Sequence, residues 1–344
     1  MPVSLFCPTG IPVGKCVARP PFGPTIKRAV QQFWQNSPCD SWFTTEPPGT
    51  PAFYRALDDH RYQLHPRLCT SVQFERTSGL RVLEIGCGCG SEAERFARAG
   101  AHYIAVDLTN AAVSITKKRF GLSMLNGGFT QGDAENLPFC DRAFDFVYSH
   151  GVLHHTPDTA QAIREIYRVL TPGGRAVVML YYRNSFNYQV NLKVLRRMRM
   201  VLLKSKLGVQ LAGKLWNESL KDLERHAELV RKDPEYSDMS NMLNRNTDGP
   251  DNPLSQVFSK VEARRMFHQF GSVRMEVMFW NPRWLPILGK LLPRWPEDQL
   301  ASLYGWHLWI FAQKSYLETA RARQIPRLTL GRIKLHAGSE ASVA

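Results

Sequence analysis

The chain holds 344 residues, 44% of them hydrophobic, with a formal net charge of +14. This length suits one large domain or two small ones, and the apolar fraction is ample for a packed core. No uninterrupted apolar run reaches the roughly 18 residues of a membrane span, which argues against a transmembrane helix.

The charge is unevenly placed. Basic and acidic residues balance between 80 and 180, and the positive excess falls in 181–245 and in the tail from Lys314. A basic surface serves nucleic acid, an anionic membrane or an acidic substrate, or is simply a solvated face. The seven cysteines are odd in number and mostly scattered, which fits a reduced, cytoplasmic protein. Cys87 and Cys89 alternate with glycines, unlike the spacing of a zinc site, so no metal is expected.

In chain order, residues 1–24 are rich in Pro and Gly without periodicity and read as a loose arm. No basic stretch precedes an apolar one there, so no signal peptide is expected. Residues 25–79 read as an N-terminal helical lid. One helix runs from Thr25 to Gln35, and a second from Pro51 to Leu64 stops at His65-Pro66. Trp34, Phe53, Tyr54, His60 and Tyr62 either line such a lid or pack against a sheet.

Residues 80–184 carry the strongest pattern. Leu80 to Ile85 is an apolar β-type run, followed by Gly86-Cys87-Gly88-Cys89-Gly90, a helix, and a second apolar run ending on Asp107. This is a β-α-β unit whose glycines let backbone turn sharply and approach a ligand. Three further features follow at successive strand ends: Gly132-Asp133-Ala134, then Ser149-His150-Gly151-Val152 with His154-His155, then Arg168-x-Leu170-x-Pro172-Gly173-Gly174 leading into a strand that exits through Tyr181-Tyr182.

Together these residues resemble class I S-adenosylmethionine (SAM) methyltransferases of the small-molecule type, whose pattern is acidic-x-Gly-x-Gly-x-Gly. The resemblance covers 35–180 well and 255–314 in outline. It implies a three-layer, Rossmann-like α/β fold with a seven-stranded sheet and an antiparallel last strand. It also implies SAM as cofactor. Glu84, Gly86, Cys87, Gly88 and Gly90 would hold its methionine part, Asp107 with Leu108 the ribose, and Asp133 with Ala134 the adenine. His150 would touch the sulfonium end or the substrate.

His150, His154 and His155 are the candidates for a general base, or else loop histidines bonded locally. Trp34, Tyr54, Tyr62, Tyr181 and Tyr182 are the candidates for substrate contact. Methyl transfer leaves a neutral, good leaving group, so no catalytic triad or metal cluster need appear. The expected function is methyl transfer to a small molecule or metabolite. An RNA methyltransferase and a non-catalytic SAM-binding protein are the alternatives. Ser-His-Gly-Val after the fourth strand differs from the Asn-Pro-Pro-type motif of enzymes that methylate exocyclic base amines.

Residues 185–254 mix apolar with basic residues, including a helical stretch over 211–231, and read as a helical insert. Such an insert builds a substrate pocket or oligomer contact, lies on an anionic membrane, or meets RNA. Residues 255–314 complete the sheet, with strands over 272–280 and 305–314 and Ser259 capping a helix through Glu262. Between those strands, 284–295 is an apolar, aromatic-flanked segment that covers a substrate or enters an interface. Residues 315–344 form a basic tail, read as disordered.

Overall fold

The structure is a computed structural model that describes residues 25–216, 220–233, 243–244, 248, 252–281 and 297–316. The N-terminal arm, most of the tail and the apolar segment 284–295 lie outside the described residues.

Seven strands form one sheet: β1 Arg81–Ile85, β2 His102–Asp107, β3 Gly128–Gln131, β4 Phe144–His150, β5 Leu170–Tyr181, β6 Ser272–Met278 and β7 His307–Gln313. Their order is β3-β2-β1-β4-β5-β7-β6. The first five pair in parallel, whereas β7 runs antiparallel to both β5 and β6. This is the expected Rossmann-like methyltransferase arrangement. The chain reverses its direction of travel across the sheet between β1 and β4. Ligands bind at that crevice, beyond the carboxyl ends of the strands. Ile85, Asp107, His150 and Tyr181 end their strands on that side.

The strands read as nearly continuous apolar runs because both faces are covered. One face carries Leu83, Ile85, Val106, Val147 and Val178 with Ile163 and Ile166 of α6 (Thr159–Val169). The opposite face carries Val82, Tyr103, Ala105, Phe146 and Tyr148 with Phe96 of α4 (Ser91–Arg98) and Phe120 of α5 (Asn110–Leu122). Among the described residues three α-helices precede β1; α3 (Leu68–Val72) leads into the sheet, and the other two reach the cleft side. They are α1 (Thr25–Asn36) and α2 (Pro51–Leu64), the latter capped by Thr50, whose side chain accepts from the Phe53 amide.

Two local readings differ from expectation. Strand β5 begins at Leu170, so Thr171-Pro172-Gly173-Gly174 belongs to the strand rather than to a free turn. The Gly173 amide donates to the Lys314 carbonyl, and the Lys314 amide donates to that of Gly174, extending the sheet. Gly173 has φ +79°, and a Cβ there would collide with the Tyr316 ring. The stretch over 211–231 belongs to two helices, Lys206–Trp216 and Leu220–Lys232.

These two helices, with α7 (Arg197–Leu202), surround a small core of their own made by Met200, Leu203, Val209, Ala212, Leu223, Ala227 and Val230. A π-helical stretch, Asn187–Arg196, joins them to the sheet, and its Leu192 is fully buried in the main core. The expected capping box is present: the Ser259 hydroxyl accepts from the Glu262 amide, and the Ser259 amide donates to the Glu262 carboxylate.

Candidate functional site

A cleft enclosing about 1080 Å³, open solvent at its mouth included, sits over the carboxyl ends of β1, β2 and β4. Its floor is the loop Gly86–Gly90. Gly86 has φ +81°, and a Cβ there would lie 2.1 Å from Val152. Any side chain at Gly86 would therefore displace the loop that follows β4.

Asp107 lies beside this loop. Its Oδ1 accepts from the Thr109 amide and hydroxyl, both at 2.8 Å, and Oδ2 is 3.4 Å from the Gly88 amide. One oxygen is thus committed to holding the carboxylate in place, and the other is weakly engaged beside the loop. Burial raises the Asp107 pKa, while the hydrogen bonds from Thr109 and Gly88 oppose that. Leu108 lines the cleft, and its carbonyl accepts from Gln31 of α1 at 2.9 Å.

Asp133 and Ala134 also line the cleft. Asp133 is already engaged. Its Oδ1 accepts from the Glu135 amide, and its Oδ2 accepts from Lys27 of α1 at 2.6 Å. Lys27 reaches Glu135 as well, at 2.5 Å. Burial alone would lower the Lys27 pKa, but the two carboxylates outweigh it and raise the ammonium. Lys27, Val30 and Trp34 recur at helical spacing and all line the cleft, so one face of α1 roofs it.

The second lid helix brings Arg61. Its buried guanidinium donates to Glu92 at 2.5 Å, to Asp40 at 2.9 Å and to His150 Nδ1 at 2.9 Å. A guanidinium has no acceptor, so His150 Nδ1 is the unprotonated nitrogen and Nε2 carries the proton. Burial, then the Arg61 charge, push the His150 pKa well below its usual value. His150 is a neutral imidazole that offers a donor.

His155 has the opposite tautomer. Its Nδ1 lies 2.7 Å from the Leu254 carbonyl, which only accepts, so Nδ1 carries the proton. Its Nε2 lies 3.5 Å from Asp248 Oδ2. Asp248 Oδ1 in turn accepts from the Tyr181 hydroxyl at 2.8 Å. His155 lines the cleft and meets Trp34 edge-on, with ring centroids 5.2 Å apart.

Of the other expected residues, Cys87 lines the cleft and the rest stand away from its lining. His154 is fully buried and packs 3.6 Å from the Tyr181 ring, between centroids, and burial pushes its pKa well below the usual value. Glu84 lies beneath the glycine loop, where Tyr103 donates to it at 2.5 Å; burial, reinforced by Glu92, pushes its pKa up to about 8. Cys87 is buried within the loop itself. Tyr54 donates to the Ile115 carbonyl of α5 and Tyr62 to the Ser91 carbonyl of α4, so both fasten α2 to the helices that cover the sheet. Tyr182 packs in the main core. These side chains turn inward because their elements pack on the sheet on the face that carries them.

A second cavity, about 850 Å³, lies next to the cleft and is lined by His65, Leu68, Met278, Phe279, His307 and Trp309 among others. His150 packs against His65 and His307, with ring centroids 5.7 and 5.6 Å away. A row of imidazoles therefore lies between the two spaces. Burial pushes the His307 pKa down to about 3 and that of His65 well below its usual value.

Sequence reasoning missed Lys27, Arg61, Asp40 and Asp248 as parts of the site. Helical spacing with Trp34 was an available signal for Lys27. Nothing local marks Asp248.

Residues 83–178 match the family model described as a methyltransferase domain. The phthiotriol/phenolphthiotriol dimycocerosates methyltransferase 1 of Mycobacterium ulcerans (strain Agy99) is 40% identical over 118 residues, 34% of this chain and 41% of that one. The fatty-acid O-methyltransferase of Mycolicibacterium smegmatis is 37% identical over 117 residues, 33% of this chain and 42% of that one. The chain thus spans about two fifths of the length of these curated relatives. Among solved structures, magnesium protoporphyrin IX methyltransferase from Synechocystis PCC 6803 with bound SAH aligns at a TM-score of 0.48 and 14% identity, over 84% of this chain and 100% of that one. With the sheet order and the glycine loop in place, the match over residues 83–178 supports a methyltransferase domain of the class I SAM-dependent type in that part of the chain.

Proposed function

We propose that this chain transfers a methyl group from SAM to a small-molecule acceptor. The observation that carries the reading is Asp107 at the switch point, held through one carboxylate oxygen and presenting the other beside Gly88. The site fits the cofactor on its own terms: the glycine loop and Asp107 line one cleft, and the cleft has the size for a nucleoside with an amino-acid tail. The Gly86–Gly90 backbone would hold the amino-acid end, Asp107 the ribose hydroxyls, and Asp133 with Ala134 the adenine edge. A carboxylate suits paired hydroxyls because it accepts two hydrogen bonds at once.

SAM supplies an electrophilic methyl on a sulfonium, with a neutral thioether as leaving group. The protein's task is then positioning and exclusion of water. Lys27 serves that task by clamping α1 onto Asp133 and Glu135. His155 is the base candidate that the tautomers favour, since its Nε2 is unprotonated when the ring is neutral. His150 offers an N–H donor instead, which suits holding an acceptor oxygen. Tyr181 acts through Asp248 as a positioning residue.

The second cavity is the proposed seat of the acceptor's body. No carboxylate lines it among the described residues, so a cationic acceptor would find no counterion there. Leu68, Met278, Phe279 and Trp309 give it an apolar wall beside the polar Gln63, Arg67 and Asn281, which suits a molecule with a large apolar part. The names of the two relatives, one of them a fatty-acid O-methyltransferase, agree with that.

The test is incubation with methyl-labelled SAM and host metabolite extract, followed by mass spectrometry. Label in an apolar, low-molecular-weight product is the expected result. Label confined to RNA would redirect the function, and calorimetry without SAM binding would overturn it.

A further inference from the structure

The helical insert carries a surface that the cofactor cleft does not explain. From Arg183 to Asn217 the sequence contains no acidic residue and eight Lys or Arg. Helix α7 and the π-helical stretch before it expose Val194, Met198 and Val201, the last two 57% and 66% exposed. The neighbouring helix Lys206–Trp216 exposes Leu207, at 77%, and Leu211 one turn on. Arg197, Lys204, Lys206 and Lys214, on the same helices and the turn between them, are exposed as well. The inner faces of the same helices are already satisfied by the insert's own core, Met200, Leu203, Val209 and Ala212 among others. The outward apolar residues are therefore surplus to folding.

We infer that this face docks the protein on an anionic lipid surface, the apolar side chains entering the headgroup boundary and the basic ones meeting lipid phosphates. Two observations select this partner. Large aliphatic side chains in water cost free energy that an interface recovers, and a lipid surface takes them without demanding a matching shape. The basic stretch 183–217, itself free of acidic residues, is complementary to anionic headgroups, and exposed Glu224 and Glu228 lie on the adjoining helix Leu220–Lys232. A nucleic-acid site would use the charge, but would leave Val201 and Leu207 without a role. A second copy of the chain would bring like charges together across this face. Among the described residues no helix is long and apolar enough to cross a membrane, so the contact is peripheral.

The test is co-sedimentation of the full chain with vesicles of pure phosphatidylcholine and of phosphatidylcholine containing phosphatidylglycerol, at low and high salt. Binding is expected only to the anionic vesicles and should weaken with salt. Replacing three charges together, Arg197→Gln, Lys204→Gln and Lys206→Gln, should weaken it about a hundredfold. Met198→Gln with Val201→Gln should weaken it about tenfold or more. All five side chains are exposed or outside the insert core, and SAM calorimetry on each variant reports that the fold is intact. No binding, equal binding to neutral vesicles, or binding unmoved by either set overturns the inference. So does a concentration-dependent dimer that Met198→Gln/Val201→Gln dissolves, or salt-sensitive binding to single-stranded RNA that replaces vesicle binding. SAM binding is measured apart from vesicle binding, so this inference and the proposed function fail separately.

Discussion

The cofactor cleft and the helical insert solve the same problem, placing charge on a folded chain, in opposite ways. Around the cleft nearly every charge is bound to a partner. Lys27 holds Asp133 and Glu135, Arg61 holds Asp40, Glu92 and His150, and Arg119 holds Asp58 and Glu94. The stretch 80–180 is accordingly balanced in charge. In the insert the cations at 197, 204, 206 and 214 stand in solvent, as do aliphatic side chains of the same helices. The first region is built to hold one geometry, because a buried charge without a partner is costly. The second tolerates any partner that supplies negative charge and an apolar boundary. Precision and adaptability are thus divided between two cores.

That division can be broken or sharpened by experiment. The largest effect is expected from Asp107→Ala. Losing charge-assisted hydrogen bonds to two hydroxyls should cost SAM about 3 kcal/mol or more, a hundredfold or greater rise in Kd by calorimetry, with vesicle binding unchanged. Leu203→Ala should do the reverse. It opens a cavity in the insert core at a cost of about 2–4 kcal/mol, seen as an earlier local unfolding in hydrogen exchange, while the SAM Kd stays put. A parallel loss of SAM affinity in Leu203→Ala would show that the two cores are one cooperative unit.

The pH dependence of stability should come from the cleft side. His307 is held neutral down to about pH 3, and His65, His150 and His154 are also pushed well below their usual value. The unfolded chain binds these protons below about pH 6.5, so stability should fall as pH drops from there toward 3, by up to about 1.4 kcal/mol per pH unit for each such group. Glu84 works with the opposite sign. Its carboxyl holds a proton up to about pH 8 in the folded state, so stability falls as pH rises from about 4.5 to 8. Urea unfolding of Glu84→Gln should show a flatter upper limb, and His307→Asn a flatter lower one. The smallest effect belongs to Lys27→Met. Freed from Asp133 and Glu135, α1 should become more sensitive to limited proteolysis, and SAM should bind about tenfold more weakly.

Legibility followed the kind of constraint each residue obeys. Gly86 was readable because few residues can stand at positive φ with Val152 against the missing Cβ. Asp107, Ala134 and His150 were expected at the cleft because they stand at or just past strand ends near a switch point, and all three line it. Tyr54, Tyr62 and Tyr182 resisted because an aromatic on a lid or strand serves a core as readily as a pocket, and these three turned inward. Glu84 stood in the right motif, but strand alternation pointed it beneath the loop toward Tyr103.

By itself the sequence determined the β-α-β unit, the glycine loop, the order of strands and helices, and the basic bias of the insert. These are local periodicities, or residue types with one physical use. Tertiary structure alone decided the tautomers of His150 and His155. That choice rests on Arg61 donating to His150 and the Leu254 carbonyl receiving from His155, across 89 and 99 residues of chain. A tautomer is set by whichever neighbour folding brings to the ring, and no local pattern encodes that neighbour.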